Sequence, residues 1–157
     1  MKNILFALLI SAGLLSPMAM AQGKDPLMFG GKAGFMKPHG SNNDSGFTIG
    51  ATMGKHVEGN FHWEADLNLG VIDGEIGSNR DWTINSVAGY GVFRTNGKTH
   101  FKAKAGVAYW DDDFDDDINL SMGVGIGINL GRGVLDVEYT QINDYVDYIT
   151  VGYKLPF

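Results

Sequence analysis

The feature that most constrains this chain is a two-residue period of apolar side chains, which recurs in stretches of about 10 to 13 residues. The clearest stretch places Phe61, Trp63, Ala65, Leu67, Leu69 and Val71 against His62, Glu64, Asp66, Asn68 and Gly70. The last stretch repeats the period from Ile149 to Phe157. Successive side chains of a strand point to opposite faces, so each stretch predicts a strand with one apolar face and one polar or glycine-rich face.

Eight such stretches follow one another between Leu27 and Phe157. A tilted membrane-spanning strand needs about 9–11 residues, whereas strands of soluble proteins average about 5–6. Polar loops are predicted at Pro38 to Ser45, Asp73 to Asp81, Asp111 to Asp117 and Gln141 to Tyr145, and they alternate with short turns such as Asn96-Gly97. The sequence predicts an all-β fold, an eight-stranded antiparallel up-and-down transmembrane β-barrel.

The apolar face is predicted to meet lipid, because aromatic residues gather near the strand ends as in two membrane-interface belts. One belt holds Phe35, Phe47, Trp82, Tyr109 and Tyr148, and the other holds Phe29, Phe61, Tyr90, Phe101, Tyr153 and Phe157. In the fourth stretch, Trp82, Ile84, Ser86, Ala88, Tyr90 and Val92 are assigned to this outward face. The alternative is a lipocalin-like soluble barrel with its apolar face inside.

The N-terminus has the pattern of a secretory signal peptide. A positive start, Met1-Lys2-Asn3, precedes an apolar run from Ile4 to Leu15 and a small-x-small site at Ala19-Met20-Ala21. We expect residues 1–21 to be removed, which leaves a mature barrel domain of residues 22–157. The chain has no cysteine, which excludes disulfide and thiol chemistry, and its net charge of −6 without a basic patch argues against nucleic acid as a partner.

Charged residues lie on the inward faces of the four strands that run in one direction. They are Lys32, Glu64, Asp66, Lys102, Lys104, Asp136 and Glu138, and Lys102 and Lys104 are predicted to be the only luminal lysines besides Lys32. The lumen of eight strands is just wide enough for side chains, so glycines must make room and charges must pair. Glu64 and Asp66 are therefore expected to be neutralised by lysines rather than to act as an acid/base pair. The cluster is interpreted as a structural plug, with an ion path as the alternative.

The segment Asp111 to Asp117 is the most unusual local feature, with carboxylates at Asp111, Asp112, Asp113, Asp115, Asp116 and Asp117. Carboxylate oxygens are ligands for divalent cations, but this segment lacks the glycine and distal glutamate of an EF-hand loop. It is interpreted as a solvated loop, with loose Ca²⁺ or Mg²⁺ binding as the alternative. No metal site and no cofactor are otherwise predicted.

The C-terminal residues Gly152, Tyr153, Leu155 and Phe157 resemble the signal by which the barrel-assembly machinery recognises its clients. With its strand pattern, the mature chain resembles the small outer-membrane β-barrel family, the group of OmpX, Ail and the OmpA transmembrane domain. The resemblance implies an integral protein of the bacterial outer membrane with both termini in the periplasm. The partners it implies are outer-membrane lipid, lipopolysaccharide and, during insertion, the barrel-assembly machinery.

The predicted outer loops, of about five to nine residues, are short for the adhesins of that family. We expect a non-enzymatic protein with a plugged lumen and a role in envelope integrity or surface interaction. The alternatives are a narrow channel for ions or small solutes and, third, a lipid-modifying barrel enzyme.

Overall fold

The computed structural model describes residues 25–39, 43–76, 80–112 and 116–157. The strands in this part of the chain are β1 Met28–Pro38, β2 Gly46–Glu58, β3 Phe61–Ile72, β4 Gly74–Ile76, β5 Arg80–Trp82, β6 Ile84–Arg94, β7 Thr99–Asp112, β8 Asp116–Leu130, β9 Gly133–Asn143 and β10 Val146–Pro156. None of the described residues form a helix long and apolar enough to cross a bilayer. The predicted signal peptide, residues 1–21, lies outside the described residues.

Eight strands close into a single antiparallel barrel in the order β1-β2-β3-β6-β7-β8-β9-β10. Strands β1 and β10 close it. Their cross-strand pairs run from Met28–Pro156 at one end to Pro38–Val146 at the other. A backbone hydrogen bond of 2.7 Å from Phe157 N to Leu27 O extends this closure. Because a closed barrel leaves no strand edge, backbone polar groups are satisfied within the sheet. The predicted eight-stranded up-and-down barrel is confirmed.

Three short links at residues 59–60, 95–98 and 131–132 define one end of the barrel, which we call the short-turn rim. Each contains a glycine with a positive φ: 59° at Gly59, 132° at Gly97 and 66° at Gly131. Side chains with a Cβ rarely adopt such angles, so glycine permits these tight reversals.

At the opposite rim, segments that are predicted to be loops contain paired strands. The segment Asp73 to Asp81 is not a plain loop, because it contains most of a short two-stranded sheet. In this sheet β4 pairs with β5, from Gly74–Trp82 to Ile76–Arg80. The acidic segment is also largely strand, since Trp110 pairs with Asp117 and Asp111 pairs with Asp116. Polarity marked these segments as loops, but the exposed end of a hairpin can carry polar side chains while its backbone stays paired.

The predicted loop Gln141 to Tyr145 is likewise wrong, because β9 continues to Asn143 and β10 starts at Val146. The Oδ1 atom of Asn143 accepts hydrogen bonds of 2.8 Å from the backbone N–H groups of Tyr145 and Val146. A side-chain acceptor thus closes a turn that is shorter than the polarity of the segment suggested.

Seven of the eight barrel strands have the faces that their alternation predicts. On β3, for example, Leu69 is 43% exposed and the adjacent Asn68 is 1% exposed. The exterior includes Phe29, Phe35, Ile49, Phe61, Leu67, Phe101, Val107, Leu120, Val124, Val137, Ile149, Val151 and Leu155. An apolar exterior and a polar, glycine-containing interior are the arrangement of a membrane barrel rather than of a lipocalin-like one.

Strand β6 has the opposite facing to the one predicted. Tyr90 is only 4% exposed, and Trp82, just before the strand, is 2% exposed. The side chains of Ile84, Ser86, Ala88 and Val92 also point inward. Tyr90 is the cross-strand partner of Glu64 on β3 and of Gly106 on β7, both on inward-facing positions. Tyr148 was placed in an aromatic belt as well, yet it is 1% exposed and lies inside. These three aromatic residues therefore belong to the interior.

The facing of Trp82 can be tested against Trp63, which lies on the exterior parity of β3 near the other rim. Two single-tryptophan variants, each with the other two tryptophans changed to Phe, are compared in vesicles whose acyl chains are brominated near the headgroup. We expect strong quenching of Trp63 fluorescence and weak quenching of Trp82 fluorescence, because only Trp63 contacts acyl chains. Equal quenching of the two would show that Trp82 faces lipid after all.

Candidate functional site

Nine ionised side chains meet inside the half of the barrel next to the short-turn rim. We call them the lumen charge cluster: Lys32, Glu64, Asp66, Arg94, Lys102, Lys104, Asp136, Glu138 and Lys154. They come from six strands, β1, β3, β6, β7, β9 and β10, and on each strand the inward-facing positions alternate with exterior ones. All seven residues predicted from the sequence lie in this cluster.

Glu138 on β9 and two lysines on β7 form its centre. Lys102 Nζ donates to Glu64 Oε2 at 2.5 Å and to Glu138 Oε1 at 2.5 Å. Lys104 Nζ donates to Asp66 Oδ2 at 2.9 Å and to Glu138 Oε2 at 2.7 Å. Each lysine thus bridges β3 and β9 across the lumen, and Glu138 accepts from both.

The remaining cations surround this centre. Lys32 Nζ lies 2.8 Å from Asp66 Oδ2, and Lys154 Nζ lies 2.7 Å from Glu64 Oε1. Lys154 also pairs with Asp136, and Arg94 pairs with Glu64. Every carboxylate of the cluster therefore contacts at least one cation, which is what burial of ionised groups requires.

The sequence interpretation missed Arg94 and Lys154. Lys154 is only 1% exposed, so the expectation that Lys102 and Lys104 are the only luminal lysines besides Lys32 is wrong. Lys154 lies on the same face of β10 as Thr150 and Gly152, and this alternation is the signal that places it inside. Arg94 could not be placed, because the facing of β6 was assigned the wrong way round. With both included, five cations face four carboxylates, and His100 Nε2 lies 3.7 Å from Asp136 Oδ1.

Glycines on neighbouring strands make room for the charged side chains. Seven of the nine have a glycine as a direct cross-strand partner: Lys32 has Gly50 and Gly152, Glu64 has Gly54, Lys102 has Gly125, Lys104 has Gly123, Asp136 has Gly127 and Gly152, Glu138 has Gly125, and Lys154 has Gly30. A Cβ added at Gly125 would lie 3.1 Å from Glu138 Cγ. Long charged side chains therefore lie over backbone that carries no side chain.

The other half of the lumen is mainly apolar, with buried polar side chains such as Thr48, Asn68 and Ser86 among the apolar ones. The buried residues packed there and towards the middle include Met36, Trp82, Ile84, Ala88, Tyr90, Ala108, Trp110, Ile142, Val146 and Tyr148, which we call the apolar lumen cluster. Tyr90 joins the two halves, because its ring lies 4.4 Å from Lys104 Nζ and its hydroxyl lies 3.0 Å from Ser121 Oγ. The interior thus changes from ion pairs to hydrophobic packing along the barrel axis.

Those acidic side chains of β7 and β8 that the structure describes do not form a cation site. Within the described ranges, no group of three or more His, Asp or Glu side chains is arranged to hold a metal ion. Asp116 Oδ2 accepts a hydrogen bond of 3.1 Å from the Tyr109 hydroxyl, and Asp117 Oδ1 accepts one of 2.7 Å from Ile118 N. Asp113 and Asp115 lie outside the described residues, and of Asp112 only the backbone is described.

The C-terminal residues that resemble an assembly signal lie on β10 and directly after it. Tyr153, Leu155 and Phe157 face the exterior, whereas Gly152 is the partner of Lys32 and of Asp136. Tyr153, Leu155 and Phe157 therefore form an apolar ridge along the strand where the barrel closes.

The sequence matches the family model described as "Outer membrane protein beta-barrel domain" over residues 6–154. The chain belongs to this family. It is therefore an outer-membrane β-barrel protein, in agreement with the resemblance drawn from its strands. A comparison with curated proteins finds no significant match.

Solved structures share the fold. Neisserial surface protein A is 13% identical with a TM-score of 0.62, and the match covers 86% of this chain and 100% of that one. Ail of Yersinia pestis, in complex with the heparin analogue sucrose octasulfate, is 17% identical with a TM-score of 0.55, over 85% and 97% of the two chains. The outer membrane enzyme PagL is 15% identical with a TM-score of 0.52, over 83% and 99%. Proteins that are described as enzymes and proteins that are not thus share this fold.

The ion pairs can be tested by changing both central lysines to methionine. Lys102→Met/Lys104→Met removes the two cations that contact Glu138 and leaves its carboxylate buried. We expect the free energy of unfolding in lipid to fall by about 3–5 kcal/mol, the usual cost of breaking one side of a buried pair. The control is Lys98→Met/Arg132→Met, which removes the same charge from exposed turns and, in vesicles without anionic lipid, should change stability by about 0.5 kcal/mol or less. If both double variants are equally stable, the luminal lysines are solvated.

The glycine positions give a second matched pair. A Cβ at Gly125 would lie 2.7 Å from Val137 O, whereas a Cβ at Gly89, on the exterior of β6, has nothing within 4 Å. We expect Gly125→Ala to cost about 1–3 kcal/mol, as overpacking does, and Gly89→Ala to cost about 0.5 kcal/mol or less. Denaturant titration in lipid vesicles measures both. A larger loss for Gly89→Ala would contradict the facing of β6 as well as the role of Gly125.

Proposed function

We propose that this protein is a non-enzymatic outer-membrane barrel whose lumen is plugged and whose role lies in envelope integrity or surface interaction. The observation that carries the proposal is the mutual pairing of the lumen charge cluster. Its lysines are nearly inaccessible, with Lys102 3% and Lys104 4% exposed. An aqueous pore would leave such groups hydrated, whereas ion pairs between opposite walls act as cross-braces.

The two halves of the lumen support the same proposal in different ways. The lumen charge cluster blocks one half with side chains of which all but Lys32 contact two or more oppositely charged partners. The apolar lumen cluster fills the other half with Trp82, Trp110 and Tyr148, whose surfaces exclude water. An ion would have to displace the first set and dehydrate to pass the second, which makes conduction unfavourable.

A filled interior leaves the rims and the lipid-facing exterior as working surfaces. We propose that the short-turn rim and both termini are periplasmic, as in bacterial barrels with short periplasmic turns. The opposite rim then faces outward with carboxylates at Asp44, Asp73, Glu75, Asp81, Asp111, Asp116, Asp117, Asp144 and Asp147. Divalent cations between these carboxylates and lipopolysaccharide phosphates would give this rim a role in surface cohesion.

A narrow channel is the second candidate, and the charge balance of the lumen is the observation that favours it. Five cations face four carboxylates, so the cluster has an excess positive charge when His100 is neutral. A conducting form would accordingly prefer anions.

A lipid-modifying enzyme is the third candidate, and it rests on the fold shared with PagL and on a rim pair. His39 Nε2 lies 2.9 Å from Asp147 Oδ2, an arrangement that also suits an ordinary surface ion pair. A lipid A mass profile with and without the protein separates this candidate from the other two.

Planar-bilayer recordings test the plug. We expect no discrete conductance steps from the folded protein. Trp110→Ala/Tyr148→Ala should be silent as well, because the lumen charge cluster still blocks the other half. Discrete steps from the unaltered protein would overturn the plug, and an anion preference in those steps would identify the channel.

A further inference from the structure

A groove of about 640 Å³ lies on the exterior of the barrel, over strands β6 to β10. One wall is a single row of cross-strand partners: Phe93, Ala103, Val124, Tyr139 and Ile149. The facing wall contains Phe101, Ile126 and Val137 from the adjacent exterior row. We call this depression the exterior groove.

The depression has a local cause. Ala103 is the one small side chain in its row, between Phe93 on one side and Val124 on the other. The larger side chains around Ala103 therefore form the walls of the groove, and Ala103 forms its floor.

The groove rises from the short-turn rim into the membrane. At one end, Phe93 is next to Arg94, the last residue of β6, and at the other end Ile149 is seven residues from Pro156, the last residue of β10. Five adjacent strands at about 4.8 Å spacing give it a length of about 19 Å. One leaflet has about 15 Å of hydrocarbon, which a path inclined at about 45° crosses in about 21 Å. The length and direction match one acyl chain.

Cations stand where the groove meets the rim. Thr95 lines its lower end, and the turn that follows carries the exposed Lys98. Asn129 binds this turn, by a hydrogen bond of 2.7 Å from its N–H to Lys98 O and one of 2.9 Å from its side-chain amide to Gly97 O. Asn129 also lies near the next turn, which carries the exposed Arg132. The two cations are complementary to a phosphate at headgroup level.

We propose that the exterior groove binds one acyl chain of an anionic glycerophospholipid, whose headgroup phosphate lies against Lys98. The lipid belongs to the leaflet at the short-turn rim, and only the naming of that leaflet as the periplasmic one rests on the proposed orientation. Ala103 forms the floor on which the chain lies, and Thr95 marks the level at which chain gives way to headgroup.

The test compares Ala103→Phe, which fills the groove, with Ala105→Phe, which adds the same bulk two residues further along the exterior of β7 and outside the groove. Folded protein is reconstituted in vesicles of equal parts phosphatidylglycerol and phosphatidylcholine and then extracted in detergent. Native mass spectrometry counts the lipids retained. We expect retained phosphatidylglycerol to fall at least about tenfold in Ala103→Phe and to be unchanged in Ala105→Phe, since a filled apolar pocket discriminates on this scale.

The headgroup contact has its own variant. Lys98→Gln should lower the preference for phosphatidylglycerol over phosphatidylcholine by about fivefold, as expected for one cation near an anionic surface. An unchanged preference overturns the assignment of the phosphate to Lys98. Equal retention by Ala103→Phe, Ala105→Phe and the unaltered protein overturns the groove as a lipid site, as does a dimer mass that only Ala103→Phe abolishes.

Slower migration of boiled than unboiled samples on a gel confirms folding of each variant, and Ala103→Ile replaces Ala103→Phe if the larger side chain prevents it. Lipid retention depends neither on conductance nor on the direction of insertion. Failure of the plug proposal and failure of the groove proposal are therefore separate results.

Discussion

Four carboxylates and five cations share the interior of the barrel, and neither set is stable there without the other. Most of the ion pairs join strands that are not neighbours in the sheet, as Lys102 on β7 does with Glu64 on β3 and Glu138 on β9. Backbone hydrogen bonds fix only adjacent strands, so these side chains determine the shape of the cross-section. The glycines opposite them follow from the same requirement, because a lumen of eight strands has no room for a side chain beneath each long charged one.

Much of this arrangement was predictable, because lipid imposes a uniform rule on the exterior. Where one face of a strand is apolar and the other carries charge, as on β3 and β7, parity alone assigns both faces. The seven charged residues predicted from the sequence all lie on such strands. Lys154 obeys the same parity and could have been found by applying it to β10.

Strand β6 shows where that rule stops working. Both of its faces lack charge before Arg94, and half of the lumen is itself mainly apolar, so residues such as Ile84 and Val92 suit either environment. Its facing is decided by register, which sets Tyr90 between Glu64 and Gly106. Register depends on contacts with two other strands and is not encoded in the composition of β6. The paired strands at the outer rim were not predicted for a related reason. Backbone pairing, such as that of Asp111 with Asp116, continues regardless of side-chain polarity, so polar residues alone do not show where a strand ends.

The pairing of Lys154 with Glu64 has a consequence for assembly, because 90 residues separate the two in the chain. Lys154 lies on β10, whose other edge pairs with β1, and Glu64 lies beyond β1 and β2, so the two meet only when the last seam of the sheet is sealed. Until then Glu64 lacks one of its counter-charges, and β1 and β10 present bare edges to the bilayer. Sealing the seam removes both penalties at once, which favours an all-or-none final step over a half-open intermediate.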